Sequence, residues 1–161
     1  MLMNRSRAWA LIVVSCSAPL IAAEKIDPRL ATMRKAWIEP VDERGDDKLV
    51  AACLADRLDT LTPMARAATK AEADVVLRVK AHLTSGAARV LLGSIGGTPS
   101  ANLEATLPDG TKLWADGAKY RRGNGAIGLA ADAKCGLASG LLNGLREAMR
   151  KARDKNRMWD R

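Results

Sequence analysis

Asp74-Val-Val-Leu-Arg-Val-Lys-Ala-His-Leu83 is the stretch on which the fold turns. From Val75 onward the odd positions Val75, Leu77, Val79, Ala81 and Leu83 are apolar, while Arg78, Lys80 and His82 stand between them. A period of two sends alternate side chains to opposite faces, so this is a strand with one face on a core and the other toward water. Downstream, Ala101-Asn-Leu-Glu-Ala-Thr-Leu107 alternates in the same way, Pro108-Asp-Gly110 reads as a tight turn, and Thr111 to Tyr120 returns as the partner strand. A short strand over 88–92 precedes the glycine-rich loop Gly93-Ser-Ile-Gly-Gly-Thr-Pro99. Upstream, Ala36-Trp-Ile-Glu-Pro40 reads as a strand closed by its proline.

Two segments change to a helical period. Val50, Leu54, Leu58 and Leu61 recur at helical spacing over 46–61, Cys53 lies beside them, and Thr62-Pro63 ends the run. The acidic group Asp42, Glu43, Asp46 and Asp47 stands where the positive end of a helix dipole favours carboxylates, so it reads as capping rather than as a calcium loop, whose alternating ligands it lacks. Past Arg121-Arg-Gly-Asn-Gly125, the residues Ile127, Ala131, Cys135, Ala138, Leu142, Leu145 and Met149 mark a long amphipathic helix. The expected fold class is therefore α+β: a two-layer sandwich with a mostly antiparallel sheet of about four or five strands and two helices on one face.

The first 23 residues are of another kind. A basic start ending at Arg7, an apolar run over 8–14 and a small-residue end at Ala22-Ala23 have the layout of a secretory signal peptide. Val13-Val-Ser-Cys16 is also a lipobox-like sequence, so lipidation of Cys16 and anchoring at the outer membrane compete with cleavage after Ala23. The apolar residues that follow Cys16 favour cleavage. The rest divides into an extended lead-in (24–33), one α+β domain (34–152) and a basic tail (153–161) that frays into solvent. The expected location is the periplasm.

Charge and composition limit the chemistry. The 161 residues carry 26 Lys+Arg against 18 Asp+Glu, one His, one Tyr and no Phe. Without Arg5 and Arg7 the excess falls from +8 to 24 − 18, or +6. His82, the single histidine, shares a polar strand face with Arg78 and Lys80, which makes it a solvated strand residue rather than a general base. No catalytic residue, metal site or cofactor is expected, and nucleic-acid binding does not fit an exported chain whose Trp37, Trp114 and Trp159 stand far apart. Gly123 and Gly125, beside Arg121 and Arg122 at a helix start, could cradle an anion, although a plain strand-to-helix turn explains them as well. No Lys-Ser/Thr pair follows, which excludes a nucleotide-binding P-loop.

Gly136, Gly140 and Gly144 recur every four residues along the last helix, together with Gly128 near its start. Each glycine costs a helix about 1 kcal/mol relative to alanine. Their smooth face therefore serves either packing within the domain or a groove for a partner. Cleavage after Ala23 would leave two cysteines, Cys53 and Cys135, each near the apolar face of its own helix. Two exported thiols have a single pairing available, which predicts a Cys53–Cys135 disulfide.

The strand entry Ala73-Asp-Val-Val-Leu77, the hairpin from Leu107-Pro-Asp-Gly110 to Leu113-Trp114 and the final long helix together resemble a group of small bacterial envelope domains. These include the amino-terminal domain of TolB, the periplasmic domain of the curli secretion channel and uncharacterised lipoproteins of similar build. The resemblance implies an α/β sandwich that binds other envelope proteins and has no catalytic residues. It carries over no binding residue. Two readings of function follow: an exported, non-catalytic protein-interaction or accessory module of the envelope, and a basic periplasmic protein that captures anionic envelope material through Arg121, Arg122 and the tail from Arg146.

Overall fold

The computed structural model of the protein describes residues 26–43, 45–83, 98–119 and 130–159. Five strands, β1 (Lys35–Pro40), β2 (Ala65–Arg66), β3 (Val75–His82), β4 (Ser100–Thr106) and β5 (Lys112–Lys119), form one sheet in the order β2-β1-β3-β4-β5. Helices α1 (Asp46–Leu61) and α2 (Ala130–Trp159) pack on it and on each other. The class is α+β.

The sheet is mixed, with its longer pairings antiparallel. β1 runs parallel to both β2 and β3, whereas β3/β4 and β4/β5 are antiparallel. The reason is the connection: α1 carries the chain back along the sheet, so β3 enters beside β1 in the same direction, as a β-α-β crossover requires. On the other side, the turn after β4 is tight enough to reverse the chain. Gly110 adopts φ 89°, Gly110 N donates to Leu107 O (2.9 Å) and Leu107 N to Thr111 O (2.8 Å).

The register places Ala36, Val75, Leu77, Val79, Leu103, Ala105 and Trp114 on one face, and all of these are buried. They meet Val50, Leu54 and Leu58 of α1 and Leu141, Leu142 and Leu145 of α2 in a single core. α1 ends where Thr62 folds back, its N–H and Oγ1 both donating to Leu58 O at 2.9 and 2.7 Å.

Both ends of the domain are more ordered than the sequence suggests. The expected extended lead-in contains a 3-10 turn over Pro28–Thr32, with Leu30 fully buried and Asp27 N bonded to Leu113 O (3.0 Å). The expected frayed tail is helical through Trp159. One contact accounts for both corrections: Ala148, Met149 and Ala152 of α2 are buried in the same core as Leu30 and Ala31, and Asn156 Nδ2 donates to Pro28 O (3.3 Å). The leader with Cys16, the 88–92 strand with the glycine-rich stretch, Gly128, and the Arg121, Arg122, Gly123 and Gly125 group lie outside the described residues.

Candidate functional site

Chemistry in this domain is concentrated in three places: the seam between the helices, the seat of α2 on β5, and the sheet face that no helix covers. At the seam, Cys53 and Cys135 form a disulfide with their Cα atoms 5.2 Å apart. One turn further on, Arg57 Nη1 donates to Ser139 Oγ. Both contacts advance by four residues on each helix, so α1 runs parallel to the first half of α2.

The seat of α2 explains one of the three glycines. A Cβ added at Gly144 would stand 2.6 Å from Asp116 Oδ2 and 3.6 Å from Trp114 Cζ2, and one at Gly140 would stand 3.4 Å from Ala118 Cβ. Gly144 therefore lets the helix settle beside Asp116 of the edge strand β5, whereas at Gly140 a methyl group would make ordinary contact and packing does not require glycine. Gly136 is exposed.

The acidic group near the start of α1 is used differently from a helix cap. The N-cap is Gly45, at φ 93° and with no side-chain cap bond. Asp47, nearly buried, accepts from Ala81 N through Oδ1 (2.6 Å) and from Asp42 N through Oδ2 (2.9 Å). Asp46 Oδ2 accepts from Leu83 N (2.6 Å). β1 stops at Pro40, and Val41 N makes the last bond to Val79 O (2.9 Å). The outer N–H groups of β3 would otherwise be orphaned there, and the two carboxylates take the place of a longer neighbouring strand. At the opposite end of the same pair of strands, Asp74 Oδ2 accepts from Arg34 N and Lys35 N, both at 2.9 Å. Those two donors hold its carboxyl below the usual range.

On the helix-free face, the register lines up Glu39, Arg78 and Glu104 across β1, β3 and β4. Glu39 takes Lys70 Nζ at 2.9 Å and Arg78 Nε at 3.5 Å, and Glu104 takes Lys112 Nζ at 3.0 Å. A shallow cleft there is lined by Glu39, Lys70, Val76, Arg78, Thr106 and Leu107. His82 is exposed at the end of β3, opposite Ser100. Among the described residues no group of three His, Cys, Asp or Glu side chains is placed to hold a metal ion, and no helix is long and apolar enough to cross a membrane. Such a face can recognise a partner by charge and shape.

No protein-family model and no curated protein matches the chain. Three solved structures are similar in part. A PelC dodecamer from Paraburkholderia phytofirmans aligns with a TM-score of 0.47 and 18% identity, covering 70% of this chain and 86% of that one. A single-substitution form of the same dodecamer gives 0.47 and 17%, covering 70% and 88%. A candidate lipoprotein from Caulobacter crescentus CB15 gives 0.40 and 14%, covering 76% and 92%. At these values the likeness is one of partial fold.

Proposed function

We propose that this chain is an exported, non-catalytic module of a bacterial cell envelope that acts through protein interaction, as the resemblance to the TolB and curli-channel domains implies. The observation that carries the reading is the Cys53–Cys135 disulfide, because a bridge between two helices of one core persists in oxidising compartments and is rare in the cytosol. The leader-like segment 1–23 supports it independently. The salt-bridged, helix-free sheet face supplies a polar surface for a partner. In this reading, removal of 1–23 or lipidation at Cys16 precedes folding, and 34–152 forms the body of the domain. Cations on the last turns of α2 that have no acid partner among the described residues favour a second reading, contact with anionic envelope material.

A reporter fused after Arg161 tests export and should be active only outside the cytoplasm. The mass of the unreduced, denatured protein should show no alkylated Cys53 or Cys135, with a new start at Glu24. A lipid-bearing Cys16 would select the anchored form instead. Cytoplasmic reporter activity together with two alkylated cysteines would overturn the proposal.

A further inference from the structure

The last three turns of α2 carry a pattern that the fold does not use. Arg146, Arg150, Arg153 and Arg157 are spaced i, i+4, i+7 and i+11, and all four are exposed. At 3.6 residues per turn they fall within about 60° of arc, in a row about 16 Å long. On the same turns the core line Leu145, Ala148, Met149 and Ala152 is centred about 120° away round the helix, and Glu147 and Asp154 stand most nearly opposite that line. The row is thus an exposed ridge along one side of the core line, and Lys151 and Lys155, also exposed, lie on the other side.

Its charge is mostly unspent. Arg150 binds both carboxylates of these turns, Glu147 at 2.7 Å and Asp154 at 3.3 Å. Arg146, Arg153 and Arg157 have no acid partner among the described residues. Structural need does not explain them, since exposed arginines of this kind add little to stability.

We infer that this ridge docks the domain on an anionic phospholipid surface. The inference rests on the second reading of function and names its partner. Two arguments favour a lipid surface over a folded acidic protein. The ridge is convex, being one face of a single helix, whereas the clefts lined by Glu39 and Arg78, by Lys48 and Asp56, by Lys80 and Lys112 and by Asp46 and Asp47 all lie elsewhere. Long arginine side chains reach headgroups on a plane from a range of angles.

Binding of the full chain to vesicles tests this, with phosphatidylglycerol and phosphatidylcholine in equal parts compared against phosphatidylcholine alone. Any contribution from the apolar segment 1–23 is read on the neutral vesicles. Each cation near an anionic surface is worth about fivefold in affinity, so Arg153→Gln/Arg157→Gln should lose about 25-fold on the anionic vesicles and nothing on the neutral ones. Arg153→Lys/Arg157→Lys should bind as the unaltered chain does, and rising salt should weaken both. Lys80→Gln/Lys119→Gln, on the sheet, should bind normally. Full binding by the glutamine variant, an equal loss in the sheet variant, or capture of soluble polyglutamate as tight as that of vesicles would overturn the inference. A cytoplasmic reporter would remove the envelope reading and leave the vesicle result standing, so the two failures are distinguishable.

Discussion

Replacing both Cys53 and Cys135 by alanine should lower the stability of the domain substantially without changing its fold. The bridge closes a loop of 82 residues in sequence. Chain entropy for a loop of that length corresponds to about 4.5 kcal/mol at room temperature, which residual structure in the unfolded chain reduces to about 3 to 4. The helices should still meet, because Leu54 and Leu58 of α1 and Leu142 and Leu145 of α2 remain buried in the same core. Urea unfolding followed by far-ultraviolet dichroism is the assay. With a slope near 1.5 kcal/mol per molar, the midpoint should fall by about 2 M. Reductant should produce the same fall in the unaltered protein and none in the double variant. A loss below about 1 kcal/mol, or a reductant effect that persists without the cysteines, would refute the entropic account.

Three other perturbations address the parts of the fold that surround the bridge. Gly144→Leu should cost about 1 to 3 kcal/mol by forcing α2 away from Asp116 and Trp114, whereas Gly140→Ala, with room against Ala118, should be neutral or gain up to about 1 kcal/mol; equal melting temperatures for the two variants would show that α2 does not rest on β5. Asp47→Ala leaves the N–H groups of Ala81 and Asp42 without their acceptor and should cost about 2 to 3 kcal/mol. Amide exchange at Ala81 that stays as slow as before would contradict this. Asp74, Asp109 and Glu147 all have carboxyls held below their ordinary range, the first two mainly by backbone N–H donors (Arg34 and Lys35; Thr111) and the third by the Arg150 side chain. Their contribution is complete above the unfolded values near pH 4 and disappears as pH falls below that through the depressed values. The urea midpoint should therefore drop on acidification through this window, and less so in Asp74→Asn; a midpoint that is flat below pH 4 would count against it.

What the sequence disclosed and what it concealed separate along a physical line. Val75 to Leu83 could be read as a strand, and Asp46 to Leu61 as a helix, because each buries one face and so repeats its apolar residues with the period of its backbone. β2 has no such signature. Ala65 and Arg66 are a strand only because Ala65 N finds Arg34 O and Ala67 N finds Ala36 O, 2.8 and 2.9 Å away, and two residues cannot show a period. Strand direction was hidden for a similar reason, since alternation is the same whichever way a neighbour runs. Leu30 stands among Ile26, Ala31 and Met33 in a stretch too short to show a period, and its burial depends on a helix that begins 100 residues later.

The candidate site follows the same division. Asp46 and Asp47 read as helix caps in the sequence and Gly144 as a costly helix residue, and each meets a tertiary need: two carboxylates complete a strand that its neighbour is too short to pair, and one glycine admits the Asp116 side chain of the edge strand. Such needs arise only once distant elements are in place, so no local pattern discloses them. A functional surface is therefore better sought among costly or charged residues that the finished fold leaves without a task. By that criterion Gly144 and the acids recede. The arginine row of α2, which the sequence showed only as a basic tail, carries the stronger claim.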